Sequence, residues 1–201
     1  MLEAALSTVT NMDKGFLFNV KNLIFEPKKM MSDYIGGKRK GILNPISFLI
    51  IAVSLYLLVD VFIESPQIER DRKITSAKMY EIGQEAGGFM KIYVKLIWIL
   101  SIFLLSATTK LLFKKHNYAE RLAISSFVIG QATLVALIGL VAFNWMLVVN
   151  PIAYLIIGLL VYQYFKKGKD KLLDFFFPIF CVLLFFIQLF VIMMLIGWLR
   201  M

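Results

Sequence analysis

The residues of this sequence best suited to hold a charged ligand are five basic side chains near the amino-terminus: Lys28, Lys29, Lys38, Arg39 and Lys40. Ammonium and guanidinium groups donate charge-assisted hydrogen bonds to phosphate and carboxylate oxygens. The glycines between them lack the GxxxxGK spacing of a nucleotide-binding loop. Because this segment runs directly into a long apolar stretch, we predict that it binds anionic lipid headgroups or a partner at the membrane surface.

Several amide side chains interrupt the apolar runs further along the chain, and the three of most interest are Gln131, Asn150 and Gln188. An amide inside an apolar helix either hydrogen-bonds to a neighbouring helix or lines a path for a polar substrate. A lone amide is a common helix contact, so we predict that these residues are polar contacts within a helix bundle. A substrate path is kept as the alternative.

Residues for catalysis or metal binding are scarce. Cys181 is the one cysteine and His116 the one histidine, so the chain offers no disulfide framework and no ligand set for a zinc site. No Ser-His-Asp set, no HExxH motif and no pair of acids on one helical face is visible. The sequence therefore predicts no catalytic residue, no metal and no cofactor, and His116 is interpreted as an ordinary interface residue.

The composition is typical of an integral membrane protein. Of the 201 residues, 60% are hydrophobic and 17% are charged, and the mean hydropathy is +0.78. A soluble domain is about 45–50% apolar and about 25% charged. The net charge of +9 comes from Lys and Arg residues that mostly flank apolar runs. Because they do not gather on a soluble face, we expect no nucleic-acid partner.

Five apolar runs are long enough to cross a bilayer with a hydrocarbon core about 30 Å thick. They predict transmembrane helices at about residues 45–63, 89–113, 121–143, 146–165 and 172–199. The expected fold is therefore all-α, a polytopic membrane helix bundle with a five-span domain over residues 45–201. The third span contains two small-xxx-small pairs that favour close helix packing, Ser126 with Gly130 and Ala132 with Ala136.

Residues 1–44 form a separate cytoplasmic or interfacial segment in this prediction. Apolar residues from Phe16 to Ile24 recur at helical spacing, and Pro27 opens a second short helix. The segment is too interrupted to span a bilayer, so we predict an amphipathic helix at the cytoplasmic face. Its apolar side either enters the headgroup layer or packs on the protein's own spans.

Basic residues also predict the orientation. With the amino-terminus inside, fifteen Lys and Arg residues fall on cytoplasmic segments and seven on the far side, as the positive-inside rule requires. No secretory signal peptide is visible, so the first span is expected to act as an uncleaved signal. We predict a multi-pass protein of the bacterial inner membrane with a cytoplasmic amino-terminus and a periplasmic carboxy-terminus.

Two local signals concern helix starts. Asn117 followed by Glu120 predicts a capping box at the start of the third span. The pair Asn150-Pro151 predicts that the first turns of the fourth span are loosened or kinked.

Two stretches resemble a bacterial membrane family catalogued as domain of unknown function 3667. The first is MDKGFLFNVKNLIFEPKKMMSDYIGGKRKGILNPISFLI, and the second is NYAERLAISSFVIG. The resemblance implies a fold and a topology but no activity. Family members commonly carry an amino-terminal zinc ribbon with paired CxxC motifs, which this sequence lacks. A looser likeness, at the level of the fold, is to five-span Yip1-type trafficking proteins.

For function, we expect a non-enzymatic accessory or scaffold subunit of a membrane complex. The reasons are the lack of catalytic residues, the small-residue third span and a Phe-rich exterior. A small transporter with a path along the three amides is the alternative, and a lipid-modifying membrane enzyme is the third possibility. The expected partners are the bilayer, its anionic headgroups, and another membrane protein or a second copy of the chain.

Overall fold

The chain is helical throughout the part described by a computed structural model, which covers residues 15–64, 96–113, 116–166 and 171–198. Within those ranges the α-helices are α1 (Gly15–Phe25), α2 (Pro27–Ile35), α3 (Pro45–Glu64), α4 (Leu96–Leu112), α5 (Tyr118–Phe143), α6 (Pro151–Phe165) and α7 (Lys171–Trp198). Residues 1–14, at the start of the predicted interfacial segment, lie outside the described residues. So do residues 65–95, which contain the connection between the first two predicted spans and the first turns of the second.

Three of these helices are long and apolar enough to cross a membrane: Pro45–Ile63, Tyr118–Phe143 and Leu172–Leu195. The prediction of an all-α protein with membrane-spanning helices is therefore confirmed at that level. Helices α4 and α6 are apolar but shorter as described. Pro45 begins α3 because a proline loses no helical hydrogen bond in the first turn.

Helix α6 begins at Pro151, five residues later than the start predicted for the fourth span. The preceding residues form one 3-10 turn, Leu147–Val149, and Asn150 caps the helix. Proline is favoured directly after such a cap because its missing N–H is not needed there. At about 1.5 Å per residue, α6 is about 22 Å long, which is less than the roughly 30 Å hydrocarbon core.

Helix α5 lies at the centre of the described bundle. It packs against α3 on one side and α6 on another. Two side-chain hydrogen bonds join it to α4, from Trp98 Nε1 to Thr133 Oγ1 (2.8 Å) and from Ser106 Oγ to Ser125 Oγ (3.0 Å). In its most apolar stretch, 61% of the residues are buried, against 33% in α3 and 22% in α7.

Helix α7 is peripheral. It buries one stripe, Cys181, Phe185 and Leu189, and leaves most of its other large apolar side chains exposed. The buried stripe has helical spacing, so only one face of α7 is in contact with the bundle. Phe177 packs edge-on against Phe113, which follows α4, with ring centroids 5.9 Å apart.

Helix α1 has two different faces. Asn19 and Leu23 point inward and are almost fully buried. The Asn19 amide donates to the carbonyl of Leu43 (3.1 Å) and accepts from its N–H (3.2 Å), so α1 holds the turn before α3. The opposite face exposes apolar residues: Leu17, Phe18, Ile24 and Phe25. Packing on the protein therefore leaves a second apolar face that is available to a headgroup layer.

Candidate functional site

All five basic residues of the predicted binding segment are exposed. Lys29 pairs with Glu26 at 2.9 Å, and Lys38 pairs with Asp33 at 3.2 Å. The hydrogen bond to Glu26 raises the pKa of Lys29 above its usual value.

Arg39 is connected to the bundle through an aromatic ring. Its guanidinium lies 5.4 Å from the centroid of the Tyr34 ring, in cation–π geometry. Tyr34 in turn packs edge-on against Phe127 of α5, with centroids 5.4 Å apart. The position of Arg39 therefore depends on the helix packing beneath it.

The four small residues of α5 that were predicted to favour close packing are all buried. Gly130 marks the closest approach of α3, since a Cβ atom there would lie 2.8 Å from Phe48 Cδ1 and 3.3 Å from Leu49 Cα. The Phe48 ring is itself packed between those of Phe16 and Phe127, with centroid distances of 5.4 and 6.0 Å. Ser126, Ala132 and Ala136 are each at most 1% exposed. The backbones of α3 and α5 can approach this closely because position 130 has no side chain.

Asn150 joins α5 to α6. Its side-chain oxygen accepts from Ile152 N–H (3.0 Å), which caps α6, and its amide nitrogen donates to the carbonyl of Ala136 (2.9 Å). The amide fits against Gly139, where a Cβ atom would lie only 2.5 Å from Asn150 Nδ2. The Asn150 side chain is fully buried, and both of its hydrogen bonds hold helices in place. Neither bond leaves the amide facing a substrate path.

The connection between α5 and α6 contains irregular backbone whose carbonyls are bonded by tyrosines. Tyr56 of α3 donates to the carbonyl of Trp145 (3.3 Å), and Tyr154 of α6 donates to that of Val148. Non-helical backbone within a membrane needs such partners because lipid offers none. Sequence reasoning missed both tyrosines, since their partners lie 89 and 6 residues away along the chain.

The other two predicted amides have separate surroundings. Gln188 Oε1 accepts a hydrogen bond from Thr108 Oγ1 at 2.9 Å, which joins α7 to α4. Gln131 is 2% exposed, and its side-chain oxygen is buried without a hydrogen-bond partner among the residues described. The hydrogen bonds of Asn150 and Gln188 lead to different helices, so the geometry does not assemble the three amides around one shared group.

A polar cluster that the sequence did not predict lies where α5 begins and α6 ends. The ring nitrogens of His116 contact Glu120 Oε2 (2.9 Å) and the hydroxyl of Tyr164 (3.1 Å). The predicted capping box is present, with Asn117 Oδ1 accepting from Glu120 N–H and Glu120 accepting from Asn117 N–H. Through these two contacts His116 joins the start of α5 to the end of α6.

Arg121 completes this cluster as a helix clamp. Its guanidinium donates to the carbonyls of Thr109 (2.6 Å) and His116 (2.8 Å) while the residue is 3% exposed. A cation at the last turn of α4 satisfies open carbonyls and interacts favourably with the helix dipole. No three His, Cys, Asp or Glu residues in the described ranges are grouped so as to hold a metal ion.

Comparison with known proteins gives one match, and it falls on the segment that carries the five basic residues. Residues 13–57 match the family described as protein of unknown function (DUF3667). The DUF3667 match covers α1, α2, the turn before α3 and most of α3, and it confirms the resemblance of the first of the two stretches. The second stretch, from Asn117 to Gly130, lies outside the matched residues.

Neither a curated protein nor a solved structure matches this chain. The fold-level likeness to Yip1-type proteins therefore stays a prediction. The DUF3667 description names no activity, so any function must be argued from the geometry of this chain.

Proposed function

We propose that this chain is a non-catalytic accessory or scaffold subunit of a protein complex in the bacterial inner membrane. The observation that supports the proposal is a difference between the buried polar side chains and the exposed surface of the bundle. Several polar side chains within the bundle, Asn150 and Gln188 among them, are used in contacts between helices, whereas the basic segment and one long face of α7 stay exposed.

Inside the bundle, the polar groups have local partners. Asn150 bonds to α5, Gln188 to α4 and His116 to α5 and α6. A transport path or an active site needs several polar groups that face one space and remain free to meet a ligand. The buried oxygen of Gln131, which has no partner in the described residues, is the observation that favours the alternative of a transporter.

On the outside, α7 carries a row of large apolar side chains at helical spacing: Phe176, Phe180, Ile187 and Met194. All four are more than half exposed. They lie away from the buried stripe of Cys181, Phe185 and Leu189. Phenylalanine is rigid and presents a large area at low entropic cost, which suits a specific helix contact. In the proposal this outer row packs against a helix of another membrane protein.

The proposal includes five spans, with α4 and α6 as the second and fourth. The support is the distribution of Lys and Arg, fifteen to seven in favour of a cytoplasmic amino-terminus. We expect a reporter active only in the periplasm to be active when fused after Met201 and inactive when fused after Lys167. The reverse pattern would show that the orientation is inverted.

The exposed basic residues support a role at the cytoplasmic face. Five exposed basic residues, on α2 and in the turn before α3, match the charge of anionic headgroups, and α1 of the same segment exposes an apolar side. Two of them, Lys29 and Lys38, also pair with carboxylates. In the proposal they fix the segment on the membrane surface, so that the subunit presents one defined orientation to its partner.

Photo-crosslinking along α7 tests the docking face directly. A photoreactive amino acid is placed in cells at Phe176, Phe180 and Ile187 in turn, and adducts are separated by size. We expect the same discrete adduct at all three positions, because they lie in one row. At Leu58, an exposed leucine of α3, we expect only diffuse labelling by lipid.

The outcome also decides between partners. An adduct at twice the mass of the chain indicates a second copy, and any other single mass indicates a different membrane protein. Equal labelling of the outer row and of Leu58 would mean that the outer row of α7 faces lipid, and the docking proposal would then be wrong.

A further inference from the structure

A groove of about 520 Å³ runs between α6 and α7. Its volume falls within the range of roughly 300–1,000 Å³ that is usual for small-molecule sites. The lining side chains are aliphatic or aromatic: Tyr154, Leu155, Gly158, Leu159, Tyr162, Phe175, Pro178, Ile179, Val182 and Leu183. The occupant must therefore be apolar along the length of the groove.

The floor of the groove follows from the spacing of three residues. Tyr154, Gly158 and Tyr162 are four residues apart and so lie on one face of α6. Two bulky rings flank a position without a side chain, which leaves a depression between them. A Cβ atom at position 158 would lie 3.4 Å from Val182 Cγ2, so α7 closes the far side of the depression.

The length and width of the groove favour an extended hydrocarbon chain as the occupant. From Tyr154 to Tyr162 the groove extends about 12 Å along α6, close to the roughly 15 Å depth of one leaflet. An α-helix with its side chains is about 10–12 Å across, so a helix can lie over the groove but does not enter the space between α6 and α7. An extended hydrocarbon chain is narrow enough to lie between them.

One end of the groove is basic. The Lys166 ammonium lies 5.5 Å from the centroid of the Tyr162 ring, which lines the groove. Lys28 donates to the Lys166 carbonyl at 3.4 Å, so the α2 cation is at the same end. Both lysines are exposed. A molecule that fills the groove with hydrocarbon would therefore place its polar end beside two positive charges.

We propose that this groove binds one acyl chain of an anionic glycerophospholipid, with the headgroup phosphate held by Lys166 and Lys28. The lipid belongs to the leaflet on the Lys166 side, because the groove is one leaflet deep. This site is independent of the docking face on α7 and goes beyond the scaffold function, so either can fail without the other.

Native mass spectrometry of the purified chain in a mild detergent tests the site. We expect one phosphatidylglycerol to bind about fivefold or more tightly than one phosphatidylcholine, because the cations favour the net negative headgroup. Leu159→Trp fills the groove and should weaken binding of both lipids about tenfold or more. The double variant Lys28→Gln and Lys166→Gln should bring the two affinities to within about twofold of each other, because both cations that favour the net negative headgroup are removed.

Matched controls separate the groove from general lipid adhesion. Leu58→Trp places the same ring on an exposed position of α3, and Lys21→Gln removes an exposed cation on α1; neither should alter the two affinities. If Leu159→Trp binds lipid as well as Leu58→Trp does, the groove is not the site. A phosphatidylglycerol preference that survives removal of both Lys28 and Lys166 would equally overturn the assignment of the headgroup.

A second measurement uses the unmodified chain and so does not depend on how the variants fold. Phosphatidylglycerol with a photoreactive group in the middle of one acyl chain is crosslinked to the protein in vesicles, and the labelled peptides are identified. We expect adducts concentrated on Leu155, Leu159, Ile179 and Leu183. Labelling spread equally over the exposed leucines of α3 would contradict the proposal.

Discussion

Replacement of Gly130 by alanine should lower the free energy of unfolding by about 1–3 kcal/mol, the usual cost of one extra methyl group in a full core. The new Cβ atom would meet the Phe48 ring at 2.8 Å and the Leu49 Cα atom at 3.3 Å. Neither can move easily, since one is a fully buried ring and the other is backbone. Gly130→Leu should prevent α3 from packing on α5 and abolish the folded protein. Thermal unfolding in detergent, followed by size-exclusion chromatography, measures both effects.

Gly158→Ala is the matched control within the same bundle. Its new Cβ atom would have one neighbour, at 3.4 Å, which is an ordinary van der Waals contact. Alanine is favoured over glycine inside a helix by about 1 kcal/mol, so this variant should be neutral or slightly more stable. If Gly130→Ala proved as stable as Gly158→Ala, the close approach of α3 to α5 would not be the contact that holds the bundle together.

Asn150→Ala should lower the free energy of unfolding by about 2–4 kcal/mol. It removes the cap of α6, worth about 1 kcal/mol, and the hydrogen bond to the Ala136 carbonyl, worth about another 1 kcal/mol. It also leaves a void beside Gly139, in a position where the asparagine is fully buried. The midpoint of thermal unfolding in detergent is the measurement.

Asn44→Ala provides the comparison, because Asn44-Pro45 and Asn150-Pro151 are both Asn-Pro helix starts. The Asn44 side chain accepts from Ile46 N–H at 2.9 Å, but it is exposed and caps α3 alone. We expect a loss of about 1 kcal/mol or less. Equal losses in the two variants would mean that the contact of Asn150 with α5 contributes nothing, and that α6 is placed by apolar packing alone.

Features with a local cause could be predicted from the sequence. The start of α3 at Pro45, the start of α2 at Pro27 and the capping box of α5 all depend on residues within four positions of each other. Helix α6 starts five residues after the predicted start of the fourth span. Met146 to Val149 are as apolar as the helix that follows them, and hydropathy does not detect a helix cap. Asn150 and Pro151 carried the correct signal, which was interpreted only as a kink.

Contacts between distant parts of the chain could not be predicted. His116 meets Tyr164 across 48 residues, and Asn19 meets Leu43 across 24. Periodicity reports which face of a helix is apolar but not which helix it meets, so neither pair has a signature in the sequence. The groove could not be predicted for the same reason. The missing side chain at Gly158 leaves a depression only when α6 and α7 lie side by side, and the sequence does not show that they do.

The described spans also differ in the thickness of bilayer that they match. The apolar stretch of α3, Pro45–Ile63, is about 28 Å long and that of α7, Leu172–Leu195, about 36 Å, at 1.5 Å per residue. A surplus of this size is met by tilting or by locally stretched lipid, at a fraction of a kcal/mol per ångström of mismatch. If α7 meets the surplus by stretching the surrounding lipid, longer-chain lipids should gather on the α7 side and shorter-chain lipids beside α3.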